Sequence, residues 1–410
     1  MTKILHMWLA DAPNRGGGGA GSMYRLHSNL KKKGIDSSIL CEFKTTDDPN
    51  VFTKPTLNRF ESMIGKITSR VGLNDIHRIS SFNIKKYEAF IEADLLHLHG
   101  IHSGFISYLA LPALSRNKPT VFTLRDLWAL TGHCAFSYDC ERWKTGCGNC
   151  PYPQNYPPIK RDATKLEWEL KNWAYSRSKI TIVALSKWLA DQAKQSMLNH
   201  FEIVQIPNGI DTTIYQPLDQ RKVRDVLGIP QKRYVLMFAA VGLSSHNKGG
   251  DLLLEALKKL PKSLKKETTL LLVGNRGGQL ARAAEIEAVN LGYLSSEILK
   301  SIAFSAADLF VFPSRAESFG QVILESMACG TPVVSQKIGP IPELVRSGVT
   351  GYLAETENSN DFCHGIVQLL EDTVAREKMG RNCREIAVEE YPVRLEVQRY
   401  IDLYSKILNS

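Results

Sequence analysis

At 410 residues the chain exceeds what one hydrophobic core ordinarily serves, so two domains are expected. A hydrophobic share of 43% and a charged share of 23% exclude a disordered chain, and no apolar run is long enough to cross a bilayer. The net charge of +9 suits nucleic acid, an anionic membrane, a phosphorylated substrate or simple solubility. Zinc-finger spacing, RNA-binding aromatic motifs and a continuous basic stripe are all missing from the sequence, so no nucleic-acid partner is expected.

The first apolar run, residues 4–9, is short, meets Asp11 and has no small-residue cleavage pattern. It reads as a β-strand rather than a signal peptide, which points to cytoplasmic residence. The cluster Asn14-Arg15-Gly16-Gly17-Gly18-Gly19-Ala20-Gly21 follows, and a helix is expected over 21–33. Without a Cβ, glycine lets backbone N–H groups approach an anion closely, and a helix start adds partial positive charge. Gly17, Gly18 and Gly19 are therefore candidates for a diphosphate cradle. The spacing is not a P-loop and only loosely fits the dinucleotide fingerprint, so a flexible loop is the alternative.

Further strands are expected over 38–42, 95–98, 120–124 and 181–185. Residues 58–71 carry Phe60, Met63, Ile64, Ile67 and Val71 on one helical face, with Arg59, Lys66 and Arg70 elsewhere around it. Such a helix sits on an anionic membrane, lines an acceptor pocket, or packs on its own domain. Cys134, Cys140, Cys147 and Cys150 fall in one stretch. The last two have a metal-ligand spacing, whereas the first two lie further apart. Structural zinc, reduced thiols and a disulfide are all open.

The turn-rich Pro207-Asn208-Gly209-Ile210-Asp211 suits a linker, which separates domain 1–206 from domain 207–390. Beyond it, strands are expected over 234–241, 269–273, 309–313 and 332–335, alternating with helices over 249–259 and 321–329. Strand–helix alternation in both halves means two parallel sheets covered by helices. The second half carries chemistry at successive strand ends, the usual ligand side of such sheets. Lys248 precedes Gly249 and Gly250 at a helix start, and Gly274-Asn275-Arg276-Gly277-Gly278 forms a glycine turn. Gly292 and Tyr293 are candidates for flanking a flat base. After 309–313 come Ser314, Arg315, Ala316, Glu317, Ser318, Phe319 and Gly320. The Phe319 and Gly320 amides lie near a helix start and suit phosphate or sugar hydroxyls. Glu325, about two turns into that helix, suits a vicinal diol, and Glu317 suits sugar hydroxyls.

These motifs make the sequence resemble the GT-B glycosyltransferases of family 4, a retaining group with many bacterial polysaccharide and lipid glycosyltransferases. Pro-Ser-x-x-Glu-Ser-Phe-Gly followed by Glu325 matches the family's pair of glutamates, and Met327-Ala328-Cys329-Gly330-Thr331-Pro332-Val333-Val334 continues it. The resemblance covers nearly the whole chain. It implies two Rossmann-like domains with parallel sheets facing across a cleft, and a terminal helix within 391–410 that crosses back to the first domain. Glu325 would bind the donor ribose and Glu317 the transferred sugar. Lys248, the Phe319 and Gly320 amides and the Gly17, Gly18 and Gly19 loop would hold the diphosphate, Ser318 would belong to the donor-binding set, and Gly292 with Tyr293 would border the base.

Two departures stand out. The family usually has an arginine after the glycine that ends the strand before the lysine; here Leu243, Ser244 and Ser245 follow Gly242, so Asn247 or Arg315 would assist Lys248. Many relatives have histidine in the first-domain strand-end motif, where this chain has Arg125, which cannot be deprotonated at working pH. Asp126, His99 and His133 are then the nearest candidates for acceptor-side chemistry. The cysteine stretch resembles an insert of some polysaccharide-assembling members and would shape the acceptor side.

The resemblance implies transfer of a hexose from a nucleotide diphosphate sugar, UDP-glucose or similar, to a saccharide or lipid-linked acceptor. The chain has no Asp-x-Asp, so catalysis without a metal or other required cofactor is expected. Retention would follow from front-face attack, with a diphosphate oxygen taking the acceptor proton. The location would be cytoplasmic, with peripheral contact at the inner face of the plasma membrane. Rival readings are an epimerase or hydrolase of sugar nucleotides and a non-catalytic binding module.

Overall fold

The structure, a computed structural model, describes residues 2–409 apart from 55–57, 244 and 276; of residues 13–16 only the backbone is described. Ser244 and Arg276, singled out above, thus lie outside the described residues, as do the side chains of Asn14 and Arg15. The chain divides into two compact units, 1–207 with 396–410, and 208–395.

The first unit is built on a seven-stranded parallel sheet: β1 (Lys3–Met7), β2 (Asp36–Cys41), β3 (Val51–Thr53), β4 (Leu95–Leu98), β5 (Thr120–Leu124), β6 (Thr181–Ala184) and β7 (Ile203–Gln205). Their order is β3-β2-β1-β4-β5-β6-β7. Central strands such as β4 and β5 are buried along their whole length, as a parallel sheet covered on both faces requires. The register pairs His6 of β1 with His97 of β4.

The first helix departs from expectation. It spans Pro13–Lys32 instead of starting at residue 21, with proline in its first turn, where a fixed φ and a missing N–H are tolerated. The glycines therefore lie within a helix, not a loop. Gly17 interrupts it at φ 65° and ψ −165°, so Gly18 and Gly19 open a fresh helical segment whose first N–H groups lack partners one turn back. Gly19 has a second reason to be glycine: a Cβ there would sit 2.5 Å from the Trp8 ring.

The last helix, Val393–Leu408, passes from one unit to the other. Tyr400 and Tyr404 are fully buried in the first unit, where they meet Thr123 Oγ1 at 3.0 Å and His97 Nδ1 at 2.7 Å.

The second unit holds a six-stranded parallel sheet: β8 (Tyr234–Gly242), β9 (Thr268–Asn275), β10 (Glu287–Gly292), β11 (Leu309–Phe312), β12 (Val333–Gln336) and β13 (Gly351–Ala354). The order is β10-β9-β8-β11-β12-β13. Leu236, Phe238, Leu270, Leu272, Leu309 and Val311 fill the core between sheet and helices. β8 and β11 are neighbours, so the loops leaving their carboxyl ends emerge side by side.

Candidate functional site

In the second unit, β8 leads through the short turn His246–Lys248 to Gly249, which caps helix Gly250–Lys258 in the left-handed region at φ 66°. A Cβ on Gly249 would fall 1.9 Å from the Pro313 carbonyl oxygen. Only glycine permits this turn and this approach to the loop after β11. Two hydrogen bonds close the seam: Arg315 N and Ser314 Oγ both donate to the Asn247 carbonyl, at 2.8 and 2.9 Å.

The seam sets Lys248 Nζ 2.6 Å from Glu317 Oε1, which also accepts from Ser314 Oγ at 3.1 Å. Glu317 is mostly covered, whereas the Lys248 side chain keeps about a third of its surface in solvent. A part-exposed lysine fixed by a carboxylate and backed by two loops is placed to meet an anionic ligand. Phe319 is buried against Tyr391, with ring centres 6.2 Å apart. Gly320 at φ 100° then caps helix Gln321–Ala328 without a side-chain cap, leaving first-turn amides for a ligand or water. Ser318 lies in the loop just before them. Glu325 is buried one turn deeper and accepts from Lys300 Nζ at 3.3 Å.

One expectation changes here. Arg315 is not directed at a diphosphate: its guanidinium is taken up by Asp251, at 2.6 and 2.9 Å, and by Glu357, at 2.7 and 2.9 Å. These two carboxylates hold it charged and raise its pKa. Gly292 (φ 66°) ends β10, the edge strand on the far side of β9, and Tyr293 follows it. Tyr293 presents a part-exposed ring.

In the first unit, His6, His97 and His99 converge at the ends of β1 and β4. Their ring nitrogens all lie within 4.8 Å of one another, the only such group of metal-ligand residues among those described. The hydrogen bonds decide what the group is. Arg125 donates to His99 Nδ1 at 2.9 Å, so His99 carries its proton on Nε2. That proton points to His6 Nδ1, also at 2.9 Å, leaving His6 with its proton on Nε2, buried without a partner. Burial above all, and then the neighbouring imidazoles and Arg125, push the His97 and His99 pKa values well below the ordinary histidine range. A guanidinium donating into a neutral imidazole opposes a metal ion. His99, buried with both nitrogens committed, cannot serve as the acceptor-side base. The expectation for His99 is corrected to an interior role.

Asp126 behaves differently. Its Oδ1 accepts from Trp128 N at 2.8 Å and its Oδ2 meets His102 Nε2 at 2.9 Å. His102 Nδ1 is 2.7 Å from Ser103 Oγ, which reaches the exposed Tyr156 hydroxyl at 2.5 Å. Burial, the largest single influence, lowers the His102 pKa, but Asp126 together with Asp75 outweighs it and the pKa is raised. His102 was missed in the sequence; its signal is a third histidine in His97-x-His99-x-x-His102, just past a strand end. His133 is held in the interior between the Pro157 carbonyl, 3.0 Å, and Cys150 Sγ, 3.3 Å.

The four clustered cysteines are free thiols. Burial pushes Cys134 up to about 12 and Cys147 up to about 11. Gly132 N donates to Cys147 Sγ at 3.2 Å. Among the described residues, no three of these thiols come within metal-binding distance of one another.

Comparison with known proteins adds two adjoining family matches: Glycosyltransferase Family 4 over residues 16–214 and Glycosyl transferases group 1 over residues 219–386. The putative colanic acid biosynthesis glycosyl transferase WcaC of Escherichia coli strain K12 is 23% identical over 95% of this chain and 97% of its own length. Other curated relatives, of higher identity, are spanned over less than two thirds of their length, for example 60% for an N-acetyl-alpha-D-glucosaminyl L-malate synthase of Bacillus anthracis at 28% identity. Among solved structures, sucrose-phosphate synthase from Thermosynechococcus elongatus superposes with a TM-score of 0.73 at 18% identity, covering 100% of both chains. Anabaena HepE in complex with UDP-glucose gives 0.68 at 20% identity, covering 99% of this chain and 100% of that one.

Proposed function

This chain belongs to the GT-B glycosyltransferases, its two family domains joined end to end over most of its length, and we propose that it moves a hexose with retention from a UDP-sugar to a saccharide or lipid-linked acceptor during polysaccharide assembly. The observation that carries the reading is the Lys248–Glu317 contact of 2.6 Å at the carboxyl ends of β8 and β11. Lys248 meets the diphosphate, and the Phe319 and Gly320 end of helix Gln321–Ala328 adds N–H dipoles. Glu317 takes hydroxyls of the transferred sugar and Glu325 those of the ribose. HepE, bound to UDP-glucose, supports the donor class, and the link of WcaC to colanic acid biosynthesis supports the polymer.

In the reaction, the bond between the anomeric carbon and the diphosphate oxygen breaks. Negative charge collects on the departing diphosphate, where Lys248 and the helix-end amides oppose it. The acceptor oxygen bonds to the same face of the sugar, and its proton passes to a diphosphate oxygen. With no Asp-x-Asp to hold a metal-bridged diphosphate, the lysine and the amides take the cation's part. On the first unit, His102 held by Asp126 orients the acceptor hydroxyl. The cytoplasmic side of the membrane is where such a donor and a lipid-linked acceptor meet.

A thermal-shift screen of UDP-, GDP- and ADP-sugars tests the donor, because a ligand that binds the native state raises its melting temperature. Product analysis with UDP-glucose, with and without saccharide acceptors, tests the chemistry. Turnover that needs no acceptor would replace the reading with a hydrolase or epimerase.

A further inference from the structure

Helix Arg59–Arg70 is turned the wrong way round for an ordinary surface helix. Its inward side is polar and small. Glu61 is 1% exposed and accepts from Ser80 N at 2.5 Å, and Gly65 lies so close to His77 that a Cβ would meet that ring at 2.9 Å. Its outward side is apolar. Phe60 is 59% exposed, Met63 54%, Ile67 55% and, just past the helix end, Val71 41%. At roughly 100° per residue these four form one stripe, and Arg59, Lys66 and Arg70 form a second row beside it, on the flank away from the protein body.

The Ser80–Glu61 hydrogen bond ties this helix to the turn Ile79–Lys86, where Ile79 and Phe82 are also exposed. The charges sort with the surface. Across residues 58–87 the acidic side chains are Glu61 and Asp75, and both are buried. The exposed ionic groups there are all cations: Arg59, Lys66, Arg70, Lys85 and Lys86. An apolar stripe flanked by a basic row, with the nearest exposed acid, Glu88, just past the face, complements a bilayer with anionic headgroups. No helix among the described residues is long and apolar enough to cross a membrane, so the contact is interfacial.

We propose that the face formed by helix Arg59–Arg70 and the turn Ile79–Lys86 docks the protein on anionic lipid. Phe60, Met63, Ile67 and Val71 enter the headgroup boundary, while the basic row lies against the phosphates. This gives the lipid-linked acceptor of the proposed reaction a physical route to the first unit, although the docking does not depend on that reaction.

The test is co-sedimentation of the full chain with vesicles of phosphatidylcholine alone and of phosphatidylcholine with phosphatidylglycerol. Binding is expected to the anionic vesicles only and to weaken as salt rises. Met63→Ser with Ile67→Ser should lower it about tenfold or more, and Lys66→Glu with Arg70→Glu should remove the preference for anionic lipid. These side chains are exposed, so melting temperature and circular dichroism should stay at wild-type values and report any folding defect. Equal binding to both vesicle types overturns the proposal, as does absence of binding. So does a stripe whose loss instead abolishes concentration-dependent self-association, which would make it a contact between copies. The response to UDP-sugars, measured on the same variants, should be unchanged, so that a failed docking face and a failed donor reading are told apart.

Discussion

Lys248 Nζ and Glu317 Oε1 are 2.6 Å apart, although 69 residues separate them in sequence. The contact joins the loop after β8 to the loop after β11, so a change in one loop is felt in the other. On the proposed reading, a donor phosphate that draws Lys248 away would also free Glu317 to accept from sugar hydroxyls.

Lys248→Ala should therefore reduce kcat about 100-fold or more, with a smaller rise in KM for the donor, because in the proposed mechanism the lysine opposes charge that grows as the bond breaks. Glu317→Ala should lower turnover similarly. Steady-state kinetics on both checks this, and a Glu317→Ala enzyme working at the wild-type rate would overturn the assignment.

Gly249→Ala and Gly228→Ala form a matched pair. Both glycines sit in the left-handed region, at φ 66° and 67°. A Cβ at 228 meets nothing, whereas at 249 it lands 1.9 Å from the Pro313 carbonyl. Gly228→Ala should cost about 1 kcal/mol, the conformational penalty alone. Gly249→Ala should cost clearly more and also weaken UDP-sugar binding. Urea melts and nucleotide titrations separate the two effects.

Asp126→Asn removes what raises the His102 pKa, leaving burial, which lowers it, and the opposed influences of Asp75 and Lys171. The wild-type ion pair contributes stability that is fully present below the ordinary histidine range and is lost as pH rises through the raised value. If neutral His102 orients the acceptor, activity climbs with pH through that raised value, and Asp126→Asn shifts the climb to lower pH. A pH–rate profile beside an NMR titration of His102 measures both; an unmoved limb excludes the role.

Glu167 gives a second pH signature. Burial pushes its carboxyl up to about 8, against the opposing pull of Lys171. Between the ordinary carboxylate range and that value the folded chain holds a proton that the unfolded chain has released, so stability should fall as pH rises through this window. Glu167→Gln should flatten the fall. Melting temperatures from mildly acidic to mildly alkaline pH test it.

The interior of each sheet was legible in the sequence and the edges were not. All four strands without a counterpart in the sequence reading, β3, β7, β10 and β13, lie at sheet edges. Central strands are covered on both faces and read as apolar runs, whereas an edge strand needs no such run: Phe52 in β3 is exposed and no position of β10 is fully buried. Pairing to a neighbour creates these strands, and pairing is not written in local composition. The site was legible where backbone shape fixed the residue, as at Gly249 and Gly320. It was misread where partners came from afar. Arg315 looked free for phosphate because Asp251 and Glu357 lie 64 and 42 residues away. His99 looked reactive because nothing local shows that Arg125 and His6 occupy its two nitrogens.

The Tyr404–His97 and Tyr400–Thr123 bonds have a bearing on how such enzymes diversify. The first unit is not one stretch of gene: its interior is finished by residues 396–410, encoded after the whole of the second unit. A crossover that exchanges the second unit between relatives must therefore make two cuts, one on each side of the exchanged block. A single cut would graft a foreign tail onto a histidine and a threonine shaped for these two tyrosines.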